Sequence, residues 1–307
     1  MDKIILVSIS GGKDSTATLL LALEREKDVR AVFADTGNEH QLTYDYIEYL
    51  EQTLNIKIHR VKADFTRQMA VHKKFILEKW PLQGIPEEKI KRAAELMDPT
   101  GNPFLDLCLY KGRFPSSMAR FCTQELKTLP LTAYALSLCS EGQTVESWQG
   151  IRRDESRTRS TYPERERVHE NIEIYRPILD WTAQDTFEYA KSKGINPNPL
   201  YKMGQSRVGC MPCIHARKGD IRQIAIRFPE AIDRLEEWER LVGEVSRRDS
   251  ATFFPAETEN EIAYQEGNIR KVVDWATGRK PSLFLDFFED QLADEISGCS
   301  SSYGLCE

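Results

Sequence analysis

The sequence predicts an α/β protein: a parallel sheet wound by helices, followed by a mainly helical C-terminal region. Three observations predict it. Apolar runs at Ile4–Ile9, Val29–Ala34 and Ile56–Val61 alternate with helix-period stretches at Ser15–Glu26 and Leu42–Leu54. That β-α-β-α-β order builds a parallel sheet with right-handed crossovers. The first run ends in Ser10-Gly11-Gly12-Lys13-Asp14-Ser15 and the second in Asp35-Thr36-Gly37. Both turns therefore fall at strand ends, side by side, where such sheets bind phosphates. After Asn196-Pro197-Asn198-Pro199 the pattern changes to a cysteine pair and amphipathic helices.

The remaining elements follow in order. Phe65–Trp80 and Pro86–Met97 read as helices. Asp98–Arg120, rich in Pro, Gly and Ser, reads as an ordered loop, and Glu125–Leu138 as a helix. Thr144–Gln149 and Ile172–Ile178 are expected strands. Thr182–Lys193 is an expected helix with Thr182 as its N-cap. Further helices are expected near Ile221–Phe228, Ala231–Val245, Ile262–Trp275 and Phe284–Ile296. A boundary near Met203 divides a nucleotide-binding domain, 1–203, from a cysteine-containing helical region, 204–307.

The chain has 307 residues, with 42 Lys and Arg against 48 Asp and Glu, a net charge of −6. No global basic field marks a nucleic-acid binder. No stretch is long enough to span a membrane, and the opening apolar run is too short for a signal peptide. The expected location is the cytoplasm, where the seven cysteines point to metal ligands, catalytic thiols or packing rather than disulfides.

Ser10–Ser15 carries the strongest chemistry. Strand, glycine turn and helix in that order aim backbone N–H groups and a helix N-terminus at one point. Lys13 adds a cation; Ser10 and Ser15 add hydroxyls. The spacing differs from the GxxxxGK[ST] of P-loop NTPases. Asp35 offers a carboxylate for Mg²⁺ or a nucleotide hydroxyl, and Asp35-Thr36-Gly37 is also ordinary turn chemistry. Gly150-Ile151-Arg152-Arg153-Asp154-Glu155-Ser156-Arg157 sets Arg152, Arg153 and Arg157 behind a strand end, suited to anions. Arg159, Arg165 and Arg167 fit a solvated mixed-charge loop. Cys210-Met211-Pro212-Cys213 lets two thiolates reach one metal or cluster. Cys122 precedes a helix. Cys299 and Cys306, near the C-terminus, complete such a set or act as redox thiols. Cys108 and Cys139 sit among apolar residues and are expected to pack. None of the five histidines shows a paired metal-ligand spacing.

Together these segments resemble the phosphoadenosine phosphosulfate (PAPS) reductase family of the PP-loop, adenine nucleotide α-hydrolase-like superfamily. The resemblance rests on Ser10–Ser15, Asp35-Thr36-Gly37, Phe121-Cys122-Thr123 through Lys127, Gly150–Arg157, Pro177–Trp181 and Asn198-Pro199-Leu200-Tyr201 leading to Gly209-Cys210-x-x-Cys213. It spans residues 4–215 and implies a Rossmann-like, doubly wound five-stranded parallel sheet. Reductases of the family typically lack the loop lysine and carry a near-terminal Glu-Cys-Gly-Leu-His motif. This chain keeps Lys13 and ends Tyr303-Gly304-Leu305-Cys306-Glu307. It looks more like the ATP-using relatives, the DNA-phosphorothioation-type sulfurtransferases above all.

The resemblance then implies ATP, Mg²⁺ and a 4Fe–4S cluster as cofactors, with zinc as the alternative. Ser10, Gly11, Gly12, Lys13, Asp14, Ser15, Asp35, Thr36, Gly37, Gly150, Arg152, Arg153 and Arg157 would bind the nucleotide. Lys13, Asp14, Asp35 and Arg152 would act in catalysis. Cys122, Cys210 and Cys213, with Cys299 or Cys306, would hold the cluster. Implied partners are a nucleotide substrate, DNA or tRNA as sulfur acceptor, and a sulfur-donor protein such as a cysteine desulfurase. Lys111, Arg113, Arg120, Lys202, Arg207, Arg217, Lys218 and Arg222 flank the cysteine segments as a local basic groove or as solvated surface. The rival readings are a PAPS or APS reductase releasing sulfite, and a non-catalytic zinc-bearing module that binds nucleic acid or a partner.

Overall fold

Strand β1 (Lys3–Ile9) is the centre of the architecture, and its buried run Ile4–Ile9 explains why. In the computed structural model, which describes residues 3–139, 143–254 and 268–278, β1 pairs in parallel with β2 (Val29–Asp35) on one side and β4 (Thr144–Trp148) on the other. Strand β3 (Ile58–Lys62) extends the sheet beyond β2, and β6 (Ile172–Tyr175) extends it beyond β4, both in parallel. The strand order is β3-β2-β1-β4-β6-β5. The expected five parallel strands are all present.

The sixth strand, β5 (Arg165–His169), is antiparallel to β6 at the sheet edge. The sequence read this segment as solvated loop. All five of its residues are exposed, so no alternation of burial marks it. Edge pairing and the ion pair from Arg165 to Glu146 hold it.

Helices cover both faces. α1 (Lys13–Arg25), α2 (Gln41–Leu54) and a later helix, Ala183–Ser192, cover one face, where Val7, Ile9, Phe33, Leu19, Ile47 and Trp148 form the core. The other face packs Ile4, Leu6, Val32 and Val145 against Leu131 and Ala135 of the helix Leu129–Cys139. That helix follows a π-helical turn, Gln124–Thr128. Pro130 lacks an N–H and its ring clashes with the carbonyl four residues back, which a wider turn relieves.

The described residues up to Lys62 and from Thr123 to Met211 form one compact unit. Ala63–Cys122 and the described residues from Pro212 onward form a second. The chain thus passes between units after Lys62, Cys122 and Met211, not once near Met203. The second unit is helical: Thr66–Lys79, Glu87–Glu95, Pro103–Lys111, Lys218–Arg227, Pro229–Val245 and Ile269–Thr277. Phe104 stacks on Trp238, centroids 5.6 Å apart. That contact joins the early insertion to the late helices and explains the discontinuous unit.

Pro103–Lys111 is a helix where a loop was expected. Asn102 caps it by accepting from Leu105 N–H at 3.0 Å, Pro103 fills its first turn, and Gly112 ends it at φ +62°. Its residues Phe104–Leu109 are buried, Cys108 among them, and Cys139 packs in the sheet core as expected. Thr182 caps its helix as expected, with Asp185 returning the bond. The helix expected at Phe284–Ile296 and the start of that at Ile262–Trp275 lie outside the described residues.

Candidate nucleotide site

Because β1 lies between β2 and β4, the sheet reverses its winding at β1. In open α/β sheets the crevice at that point, beyond the C-terminal strand ends, is where ligands bind. Three segments reach it: Ser10–Ser15 after β1, Asp35–Gly37 after β2, and Gln149–Arg152 after β4.

The loop Ser10–Ser15 is braced internally. Ser10 N–H donates to Ser15 Oγ at 3.2 Å, the two hydroxyls lie 3.1 Å apart, and Ser15 Oγ also reaches Gly12 O at 3.1 Å. Gly12 N–H points to Ser10 Oγ at 3.3 Å. Both serines therefore shape the loop. Gly11 stands at φ +81°, and an added Cβ would lie 2.9 Å from Thr43 Cγ2, so only glycine fits there.

Beneath the loop lies an ion network. Asp14 is 0% exposed. Lys13 Nζ donates to its Oδ2 at 2.9 Å, and Arg152 Nε to its Oδ1 at 2.6 Å. Arg152 also pairs with Asp154. Burial works against the Arg152 charge, but Asp14 and Glu155 outweigh it and hold the guanidinium above its usual range. Asp14, expected among the nucleotide-binding and catalytic residues, is the buried anchor of two cations. Gly150 joins the network by close approach: its Cβ would sit 2.8 Å from Asp14 C and O.

The other expected arginines lie elsewhere. Arg153 bonds Asp180 at 2.7 Å and Ser160 O at 3.0 Å. Arg157 is exposed at the start of a short helix, Arg157–Ser160. The residue drawn inward is Arg159, assigned by the sequence to solvent. It pairs with Glu155, which also accepts from Arg152 N–H at 3.0 Å. Helical spacing from Glu155 to Arg159 is the signal that would have found it.

Asp35 is half-buried; it accepts from Gly37 N–H at 3.0 Å and from Tyr44 Oη at 2.7 Å. Thr36 is buried and donates to Glu39 at 2.6 Å. Burial pushes the Glu39 carboxyl up, opposed by Lys127. Burial and both carboxylates push the Tyr44 hydroxyl up. Cys210 docks on this turn: Glu39 and Cys210 form an isolated bridge, Met211 N–H donates to Asn38 O at 2.7 Å, and Cys210 Sγ lies 3.7 Å from Glu39 Oε1. Sequence reasoning did not single out Glu39 or Tyr44, and it named Asn198 and Tyr201 only within the family motif, not as groups that touch the loop. Asn198 Nδ2 donates to Gly11 O at 3.3 Å, and Tyr201 Oη accepts from Lys13 N–H at 2.9 Å.

Among the described residues, no group of three His, Cys, Asp or Glu side chains is arranged to hold a metal ion. Cys299 and Cys306 lie outside the described residues. In the second unit, Cys122 neighbours buried Cys108, whose thiol is pushed up by burial and then by Cys122. The described cysteines alone do not make a four-thiolate site. Mg²⁺ needs less from protein, one or two carboxylates with the rest from phosphate and water, and Asp35 is placed to supply one. Among the described residues no helix is long and apolar enough to cross a membrane.

Residues 4–216 match the phosphoadenosine phosphosulfate reductase domain. The chain belongs to that family. Within the PAPS reductase domain family, it is 46% identical to the "uncharacterized 37.8 kDa protein in gpa 5'region" of Escherichia phage 186, over 98% of this chain and 96% of that one. It is 27% identical to the phosphoadenosine 5'-phosphosulfate reductase of Buchnera aphidicola, over 66% of this chain and 68% of that one. The solved PAPS reductase of Candida auris, a phosphate complex, is 16% identical with a TM-score of 0.43, covering 68% of this chain and 82% of that one.

Proposed function

We propose that the chain is an ATP-using PP-loop enzyme that adenylates its substrate and releases pyrophosphate, as a step in sulfur transfer. The observation that supports it is the Lys13–Asp14–Arg152 network beneath the Ser10–Ser15 loop at the sheet's reversal point. With Asp154 counted the network is charge-balanced, so it fixes the loop rather than charging it. The loop amides, the N-terminus of α1 and the Lys13 ammonium are the groups that would stabilise a departing polyphosphate.

In this reading the loop backbone at Gly11 and Gly12 and the N-terminus of α1 hold the pyrophosphate portion. Lys13 meets the charge that develops as it leaves. An oxygen of the acceptor attacks the α-phosphorus, its bond to phosphorus forms, and the bond to the bridging oxygen breaks with its electron pair going to pyrophosphate. Sulfide then displaces AMP: its bond to the acceptor forms as the acceptor–oxygen bond breaks, and the electron pair leaves with AMP. Where the sulfur arrives as the persulfide of a cysteine-desulfurase-type protein, a second thiol must reduce the resulting disulfide to release the thiolated acceptor. The chain's contribution is positioning and charge. Mg²⁺, held by Asp35 and the phosphates, would supply Lewis-acid neutralisation. DNA or tRNA is the proposed acceptor. Iron–sulfur or zinc chemistry would need Cys299 or Cys306 beside the described cysteines, and those two lie outside the described residues.

A second reading is favoured by the likeness to the Buchnera aphidicola enzyme: reduction of a nucleotide phosphosulfate to sulfite by thiols. One experiment separates them. Anaerobically purified protein is incubated with ATP or with PAPS, and pyrophosphate, AMP and sulfite are measured. Pyrophosphate from ATP, stimulated by nucleic acid, supports adenylation. Sulfite from PAPS with ATP untouched replaces it with the reductase.

A further inference from the structure

At the end of β4 stands a side chain that neither the core nor the ion network uses. Gln149 is 0% exposed, and among the described residues neither its amide nitrogen nor its amide oxygen has a hydrogen-bond partner. Its backbone is engaged: the N–H donates to Tyr175 O at 2.9 Å and the carbonyl accepts from Ile151 N–H at 3.0 Å. The hydroxyls of Ser8 and Ser147, each residue 1% exposed, likewise lack partners among the described residues.

The three belong together. β1 and β4 pair Leu6 with Ser147 and Val7 with Trp148, so one further step sets Ser8 beside Gln149. Strand alternation places Ser8, Ser147 and Gln149 on one face. Earlier rows of that face, Ile4, Leu6 and Val145, are apolar and pack on Leu131 and Ala135. The apolar layer thus gives way to a polar patch at the C-terminal edge of the sheet. Gly150, the next residue along, is pressed against the Asp14 backbone of the phosphate loop.

Buried polar groups in folded proteins are nearly always bonded, and an unbonded one is costly. Burying three such residues where the sheet reverses implies that something bonds them in the working protein. A primary amide offers donors and an acceptor side by side. Its complement is an edge that carries an amino donor next to a ring-nitrogen acceptor, which is the 6-aminopurine edge of adenine. Guanine has a carbonyl acceptor in place of that amino group.

We propose that Gln149, with Ser8 beside it, selects adenine nucleotides by hydrogen-bonding the amino edge of the base. This rests on the nucleotide-binding reading above, but not on the choice between ATP and a phosphosulfate, since both carry adenine.

The test is calorimetric titration of the full chain and of Gln149→Leu with ATP, GTP, adenosine 3',5'-bisphosphate and inorganic tripolyphosphate. Wild type should prefer ATP to GTP. Q149L should lose about 10- to 100-fold in affinity for ATP and for the bisphosphate while binding tripolyphosphate as wild type does. Its ligand-free melting temperature should be at least as high, because an apolar near-isostere removes an unbonded amide. Gln149→Met should behave the same way, which guards against one badly folding variant. Unchanged ATP affinity in Q149L, as expected if the amide merely binds an ordered water, overturns the proposal. So does parallel loss of tripolyphosphate, or equal binding of ATP and GTP by wild type. If wild type binds none of the four probes, the nucleotide-binding reading falls and this proposal with it. If wild type binds ATP and Q149L matches it, only the role of Gln149 falls.

Discussion

Replacing Gly150 with alanine adds one methyl group at a close backbone contact in the candidate nucleotide site. The new carbon would lie 2.8 Å from Asp14 C and O and 2.9 Å from Ser15 N, where ordinary contact begins near 3.4 Å. The backbone must therefore give by at least about half an ångström. None of the atoms it meets is the end of a flexible side chain. Asp14 is fixed by Lys13 and Arg152, and Ser15 by its bonds to Ser10 and Gly12. Overpacking of this kind costs roughly 1–3 kcal/mol. A displacement of about 1 Å in a positioned group costs on the order of a hundredfold in rate. G150A should therefore lose about 1–3 kcal/mol in denaturant unfolding and about ten- to a hundredfold in pyrophosphate release. Gly219 is the control: no heavy atom lies within 4 Å of an added Cβ. G219A should be neutral or stabilising by up to about 1 kcal/mol. G150A with wild-type stability and wild-type nucleotide turnover would refute the claim that the end of β4 sets the loop's position.

Other expectations follow from the same geometry. Arg152→Met leaves Asp14 buried with one cation fewer, and should destabilise by about 3–5 kcal/mol in denaturant unfolding; a loss below about 1 kcal/mol would show that Lys13 alone satisfies the carboxylate. Lys13→Ala should abolish pyrophosphate release from ATP, and release at the wild-type rate would remove Lys13 from that role. In the second unit, Glu239 accepts the N–H groups of Phe253 and Ile269, each at 2.8 Å. Burial outweighs those bonds and pushes its carboxyl from an ordinary 4.5 up to about 7. Below pH 4.5 both folded and unfolded chains hold the proton. Between pH 4.5 and 7 only the folded chain does, so stability falls as pH rises, by about 3 kcal/mol across the window. Glu239→Gln should flatten that component, seen as the difference between the two proteins' unfolding free energies at pH 5 and pH 7.5; an unchanged difference would show that Glu239 does not titrate there.

The parallel sheet was legible because its signals are local and repeated. Ile4–Ile9 and Ala31–Ala34 are buried on both faces, so they read as nearly continuous apolar runs, interrupted only by Ser8. The turns after them announce themselves in Ser, Gly and Asp. β5 was not legible, since an exposed edge strand has no apolar face and is defined by its partner. Pro103–Lys111 was masked by Pro and Gly in its surroundings, although those residues are its caps. The single boundary near Met203 assumed that a domain is one stretch of chain. Packing such as Phe104 on Trp238 is invisible to any local window.

The site shows the same division between chemistry and geometry. Residue types in Ser10–Ser15 and Gly150–Arg157 named an anion site, because a glycine turn ahead of a helix and a cluster of guanidinium groups have little else in common. They did not say which groups face the ligand. Asp14 looks like a catalytic carboxylate in sequence and is an internal counter-ion in the fold. Ser10 and Ser15 look like phosphate donors and bond each other. Arg159 looks like solvated charge and is buried. In each case the deciding fact is a partner far along the chain or across a turn. A buried ion network must be satisfied from within, so residues that look catalytic by type are drawn into supporting the loop. In the proposed reading, selectivity then falls to side chains left unbonded inside among the described residues, and Gln149 is such a group at the reversal point of the sheet.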